Sequence, residues 1–303
     1  MKFTIYQESR IGRRRNNQDR IAHCYSRDAL LMVLADGMGG HLHGEVAAQI
    51  AVQYLTESFQ REARPRLEDP FRFLADGLEN AHRAIVDYTD ERGLPDAPRT
   101  TCVVCVVQDN IAYWAHAGDS RLYLLRGGQV VTRTRDHSRV QMMVDDGTLT
   151  EREALRHPAR NRVFSCLGGG VAPQIDFSRR TPLKADDVIL LCSDGFWAPL
   201  GNEDLARGFA TGDVMAATPA AMNRAEALAG ESGDNLSVVA VHWQECYDED
   251  TTSGISTETM PLDAHTTQMQ GFDKDRAAEP DLTEDDIERA IAEIQNAINK
   301  YSK

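Results

Sequence analysis

The stretch Leu30 to Gly44, LLMVLADGMGGHLHG, decides how the chain is read. A continuous apolar run ends on Asp36-Gly37, passes a cluster of glycines and leads into a helical pattern. Such a run marks a strand covered on both faces. Ending it on a carboxylate in pliable backbone finishes a core poorly but holds an acid well at the lip of a site. Asp19, Asp119, Asp194 and Asp234 share this grammar, each in a turn beside an apolar strand, usually next to Gly or Ser. Asp and Gly are common turn formers, which accounts for any one of the five. Five together point to several strands delivering carboxylates to one place.

Working outward, Phe3–Glu8 and Ile21–Tyr25 read as strands on either side of an arginine-rich loop, SRIGRRRNNQDR. Residues 44–59 form an amphipathic helix with Ala47, Ile50, Ala51, Tyr54 and Leu55 on one face. Phe71, Leu74, Leu78, Ala81, Ile85 and Tyr88 mark a second helix. After the loop 93–98 the period becomes extended: strands at 101–108, 111–117 and 121–125, with Asp109-Asn110 and Gly127-Gly128 as tight turns. Short helices follow at 138–144 and 150–155, the second with a Thr150…Glu153 capping box. A Gly-rich irregular run, 161–170, precedes the apolar strand 188–192. Helical patterns at 202–209 and 213–230 lead to a last strand, 236–243. Runs of strands interrupted by helix pairs are the α+β pattern, with mostly antiparallel sheet.

At 303 residues, 42% hydrophobic and 26% charged, the chain can bury a sizeable core. From residue 244 onward fifteen Asp/Glu face five Lys/Arg, a net of −10 that leaves only −4 of the total −14 for residues 1–243. The near-balanced body lacks the basic face a nucleic-acid binder needs. No apolar run approaches the ~20 residues that span a bilayer, and MKFTIYQESR has no apolar leader segment. Cys102 and Cys105 would point to opposite faces of a strand, and no second pair supports a zinc site. A reducing, cytoplasmic location is expected. Residues 244–282, rich in Thr, Ser, Asp, Glu and Pro, read as a disordered linker. Within them, eight Ser/Thr between Thr251 and Thr267 would offer a kinase targets. Residues 283–303 carry Ile287, Ile291, Ile294, Ile298 and Tyr301 on one helical face. That helix could bind a partner, pair with itself or lie on the domain.

If the five aspartates converge, electrostatics decides the chemistry of the place. Two carboxylates about 4 Å apart repel by roughly 4 kcal/mol at an effective dielectric of 20. Either protons stay on or a cation sits among them. Oxygen ligands without a Cys or His cluster select Mg²⁺ or Mn²⁺, with the Gly37 carbonyl as a further donor. Such a multinuclear site suits in-line displacement at phosphorus. A dianionic substrate would also need an arginine fork, and Arg13, Arg14 and Arg15 stand just upstream of Asp19.

With those residues in view, residues 1–243 resemble a metal-dependent Ser/Thr protein phosphatase of the type 2C (PPM) family in its bacterial form. The resemblance rests on GRRRNNQD (12–19), ADGMGG (35–40), TT (100–101), AGDSR (117–121), DHS (136–138), RNRVFSCLGG (160–169), LLCSDGFW (190–197) and SGDNLSVV (232–239), in the family's order. It implies a four-layer αββα sandwich, two antiparallel sheets flanked by helix pairs, with a binuclear Mn²⁺/Mg²⁺ centre at one end. Asp36 would bridge both ions, the Gly37 carbonyl would bind one, and Asp194 and Asp234 would complete the other. Asp19 would order metal-bound water, and Asp119 would hold a third, weaker ion shared with Asp194. Arg14 matches the phosphate-binding arginine, and residues 138–170 match the mobile flap that influences substrate choice. The implied substrates are phosphoserine and phosphothreonine proteins, attacked by a metal-bridging hydroxide in opposition to a bacterial Ser/Thr kinase. Eukaryotic members carry a His after the DG pair. Met38 stands there, which leaves the general acid unassigned, with a metal-bound water, His41 and His43 as candidates.

A member that only binds phosphoproteins would be expected to lack one of these acids, and all are present. A dehalogenase-type phosphatase needs a DxD after an apolar strand, whereas residues 248–250 and 273–275 lie in the polar tail. A dinucleotide fold would set backbone N–H groups where Asp36 stands.

Overall fold

Side chains of Ala29–Met38 alternate between two cores. Leu31, Val33 and Ala35 pack under helices, while Leu30, Met32 and Leu34 face a second sheet. The strand is thus buried on both sides, the physical reason its sequence is apolar throughout. The computed structural model describes residues 1–38, 44–244 and 254–271.

In chain order the elements are β1 (Lys2–Arg10), β2 (Asp19–Tyr25), β3 (Ala29–Met38), α1 (Gly44–Glu62), α2 (Pro70–Arg92), β4 (Arg99–Thr100), β5 (Cys102–Gln108), β6 (Ile111–Ala117), β7 (Arg121–Arg126) and β8 (Gln129–Arg133). Then come α3 (Arg139–Asp145), α4 (Glu151–Ala154), β9 (Leu167–Gly168), β10 (Asp176–Phe177), β11 (Thr181–Pro182) and β12 (Val188–Cys192). The last are α5 (Asp194–Gly208), α6 (Val214–Ala229), β13 (Leu236–Gln244), β14 (Ile255–Ser256) and β15 (Thr266–Gln270). One sheet runs β14-β1-β13-β12-β7-β8 and the other β10-β6-β5-β3-β2-β15. Every ladder among the described residues is antiparallel.

Three apolar layers separate four structural ones. The first lies between α1–α2 and the β3-bearing sheet, the second between the sheets, and the third between the β13-bearing sheet and α5–α6. This is the αββα sandwich. Cys102 joins the first layer and Cys105 the second, on opposite faces as their spacing requires. The turn chemistry agrees too: Asp109 and Asn110 sit at φ 56° and 57°, Gly127 and Gly128 at 54° and 75°, and the Thr150…Glu153 capping box forms.

Two expectations change. The helix after β12 begins at Asp194 itself rather than near residue 202, and a break at Gly201 (φ 72°) divides it. Residues 254–271, read from composition as linker, pack on the domain instead. Ile255–Ser256 pair with Phe3 and Lys2, and Thr266–Gln270 add to the free edge of β2. Thr257 is fully buried and donates to the Arg27 carbonyl at 2.6 Å. Unpaired backbone on two edge strands favours such a strap whatever its polarity. The amphipathic helix expected at 283–303 lies outside the described residues, as do His41 and His43. Among the described residues no helix is long and apolar enough to cross a membrane.

Candidate metal centre

Asp36 stands near the end of β3, opposite Asp19 at the start of β2, so register alone makes these two acids neighbours. The Thr100-Thr101 pair fixes the Asp36 backbone. The Thr101 N–H and Thr100 Oγ1 both donate to the Asp36 carbonyl at 2.9 Å, and Asp36 N–H donates to Thr101 Oγ1 at 3.3 Å. At Gly37 a Cβ would stand 2.3 Å from the Gly44 carbonyl oxygen and 2.7 Å from that of Gln18, so only glycine lets the chain turn here.

The opposite sheet supplies the rest. Asp194 opens α5, directly after Ser193, whose hydroxyl donates to Asp19 Oδ2 at 2.8 Å instead of capping the helix. Asp234 precedes β13. Asn235 beside it organises the arginine loop: its Nδ2 donates to the carbonyls of Ile11 (2.8 Å) and Asn16 (3.0 Å), and its Oδ1 accepts from Gln18 N–H (2.9 Å). Asp119 occupies the turn between β6 and β7. There Trp197 Nε1 donates to its carbonyl at 3.0 Å, and Thr101 and Ser120 hydroxyls meet at 2.6 Å. One cleft is lined by Asp36, Gly37, Met38, Asp119, Asp194 and Asp234, with Arg13, Arg14 and Arg15 along one side and Asn161 and Val163 along another.

The aspartates perturb one another strongly. Burial, then the charges of Asp19, Asp194, Asp119 and Asp234, push Asp36 well above the usual carboxylate range. Burial and Asp194 do the same to Asp119. Burial pushes Asp194 up to about 7, with Asp234 and Asp19 adding and the Gly195 N–H and Arg14 opposing. Asp19, fully buried, is pushed up to about 6 against the hydroxyls of Ser237 and Ser193. Its Oδ1 is buried and meets no donor among the described residues. Crowded carboxylates, an orphaned carboxylate oxygen and an all-oxygen donor set fit hard divalent cations.

Arg14 grips Asp234 with both arms, Nε to Oδ1 at 2.7 Å and Nη2 to Oδ2 at 2.6 Å. No three of the aspartates bring carboxylate oxygens within 4.8 Å of one another among the described residues; that spacing is met instead by His116, His137 and Asp176. All seven residues singled out in the sequence, Arg14, Asp19, Asp36, Gly37, Asp119, Asp194 and Asp234, nevertheless belong to this one region. Asn235, Ser193, Thr101 and Trp197, which hold them, were not singled out. Their signal was their place in the motifs TT (100–101), LLCSDGFW (190–197) and SGDNLSVV (232–239), which gave them no role of their own.

A family described as protein phosphatase 2C matches residues 6–230. The protein phosphatase PhpP of Streptococcus pneumoniae is 33% identical over 245 residues, covering 78% of this chain and 95% of that protein. The crystal structure of the Mycobacterium tuberculosis serine/threonine phosphatase PstP/Ppp superposes with a TM-score of 0.70 at 30% identity, over 81% of this chain and 100% of that one. A structure of the PstP catalytic domain in complex with two manganese ions gives 0.67 at 29% identity, over 80% and 99%.

Proposed function

This chain belongs to the protein phosphatase 2C family and is a metal-dependent protein serine/threonine phosphatase, and we propose that Asp36, Gly37, Asp194 and Asp234 hold two Mn²⁺ or Mg²⁺ ions at its centre. The convergence of acids from both sheets on one cleft carries this reading. Asp36 feels the charges of Asp19, Asp194, Asp119 and Asp234, which suits a bridging ligand. Asp119, raised chiefly by burial and Asp194, suits a third, weaker ion.

When bound, the ions acidify water and neutralise charge on the phosphoryl oxygens. Arg14 supplies a planar fork already shaped for two oxygens of one group, so a phosphate fits where the Asp234 carboxylate now sits. Exchanging Asp234 for phosphate would free that carboxylate to hold a cation. Asp19, fixed by Ser193, presents its unpaired Oδ1 as an acceptor for an ordered water. Asn235 ties the arginine loop to the acid-bearing turn, so phosphate and ion positions are set together. The substrates are phosphoproteins, and the enzyme opposes a Ser/Thr kinase. Among the described residues the cysteines Cys24, Cys102, Cys105, Cys166 and Cys192 are free, which supports action in the reducing cytoplasm.

Hydrolysis of phosphoserine and phosphothreonine peptides and of p-nitrophenyl phosphate, with and without Mn²⁺, tests the assignment. Activity should require the ion and vanish in chelator. Asp36→Asn or Asp194→Asn should cost on the order of a hundredfold or more. Undiminished turnover in chelator would reject the metal centre.

A further inference from the structure

Beside the cleft, the rings of His116 and His137 stack at 4.6 Å between centroids, and both are buried. Their hydrogen bonds fix their protons. His116 Nε2 contacts the Arg135 carbonyl at 2.8 Å; a carbonyl only accepts, so this nitrogen carries the proton. His137 Nδ1 accepts from the Gly118 N–H at 3.2 Å, so its proton sits on Nε2, which faces Asp176 Oδ2 at 3.3 Å.

One ligand atom from each of these three residues lies within 4.8 Å of the others, a spacing that could suit a metal. Proton placement opposes it. An ion taking His137 Nε2 would move the ring proton to Nδ1, donor against donor with the Gly118 N–H. His137 is therefore a support that acts through its Nδ1 and its backbone, and the two things it holds are visible.

The first is the turn before Asp119. Besides the Nδ1 contact, His137 N–H donates to the Gly118 carbonyl at 2.9 Å, so one residue grips both polar groups of Gly118. The second is the root of the 138–164 segment. His137 carbonyl accepts from Phe164 N–H at 2.9 Å, the Phe164 ring lies 5.6 Å away, and Ser138 bridges to Val163. Asn161 and Val163 of that segment line the acid cleft together with Asp119.

We propose that His137 is a positioning residue that locks the Gly118-Asp119 turn to the base of the 138–164 segment, coupling ion binding at Asp119 to the placement of that segment. This rests on Asp119 being an ion ligand.

Titrating the metal-free, full-length protein with Mn²⁺, with bound ion read by electron paramagnetic resonance, tests the coupling without turnover. His137→Phe should weaken the loosest binding step about tenfold, within the range for residues that orient ligands, and leave tighter steps in place. It should also raise amide exchange at Gly118 and through 139–163. His137→Asn, whose Oδ1 can stand in for Nδ1, should recover both properties; His137→Gln, with its polar atoms farther out, should not. Asp119→Asn should remove the same step. An unchanged isotherm for Asp119→Asn would show that Asp119 is no ligand and sink both readings. Loss in Asp119→Asn with wild-type binding in His137→Phe and His137→Gln would overturn the positioning role alone. So would Asn behaving like Gln. If His137→Phe does not fold, the Asn and Gln variants decide the matter.

Discussion

At the scale of single residues, the protein stores unfavourable charge where it needs it. Asp36 and Asp119 are held well above the ordinary carboxylate range, Asp19 at about 6 and Asp194 at about 7, chiefly by removal from water. In the unfolded chain the same groups titrate near 3.9. Between roughly pH 4 and 7 the folded, metal-free protein therefore binds protons that the unfolded chain has released. The stabilisation from this cluster is present at the acid end of that window and is lost as pH rises through about 6 to 7. Chelated protein should accordingly melt at a lower temperature at pH 8 than at pH 5, and excess Mn²⁺ should shrink the difference. Asp36→Asn, which removes the acid that feels the charges of all four others, should shrink it too. Scanning calorimetry of the two proteins, compared as a difference, isolates the cluster from other titrating groups such as His23, whose burial lowers its pKa to about 4 and acts in the opposite sense. A wild-type difference no larger than that of Asp36→Asn would contradict this account.

Secondary-structure elements add a lesson about edges. The polar strand β15 pairs in register with β2 from Thr266↔Tyr25 to Gln270↔Ile21, ending beside Asp19 and Arg20. Further back, Thr257 ties together two parts of the chain: its hydroxyl accepts from the terminal amine of Met1 at 3.0 Å and donates to the Arg27 carbonyl at 2.6 Å, and its own N–H donates to the Met1 carbonyl at 3.1 Å. Thr257→Val keeps the volume and removes the hydroxyl, leaving the half-buried Met1 amine and Arg27 carbonyl without it. It should lower unfolding free energy by roughly 1–3 kcal/mol, measured by urea titration, with kcat on p-nitrophenyl phosphate unchanged. An unaltered urea midpoint would mean that the strap rests on the domain without stabilising it.

For the molecule as a whole, the important fact is that the acids come from both sheets. Asp19 and Asp36 ride on one, while Asp194 follows β12 and Asp234 precedes β13 of the other, so an ion held between them, as proposed, would tie the two layers of the sandwich together. Binding confined to the folded state stabilises it by about 2.7 kcal/mol when the ligand is at a hundredfold its dissociation constant. Calorimetry should show a melting temperature that climbs with Mn²⁺ concentration in the wild type, and a smaller climb in Asp194→Asn. A melting temperature indifferent to Mn²⁺ would argue against ions bridging the sheets.

Much of this was legible in the sequence because periodicity is local. The all-apolar run 30–35 reads as a strand buried on both faces, and its Asp-Gly ending as a carboxylate held at the tip. Cys102 and Cys105 fell on opposite faces for the same reason of pleat. Other features were decided only when distant segments met. Residues 254–271 have the composition of a linker, yet two open strand edges took them up, because backbone pairing asks nothing of side-chain polarity. Asp194 starts a helix although its neighbour Ser193 gives its hydroxyl to Asp19, 174 positions away in sequence, and not to a cap. The grip of Arg14 on Asp234 and of His137 on Gly118 likewise joins residues that no spacing rule connects. Local pattern fixes which residues are acids at strand ends; long-range packing fixes how those acids are spaced, partnered and protonated.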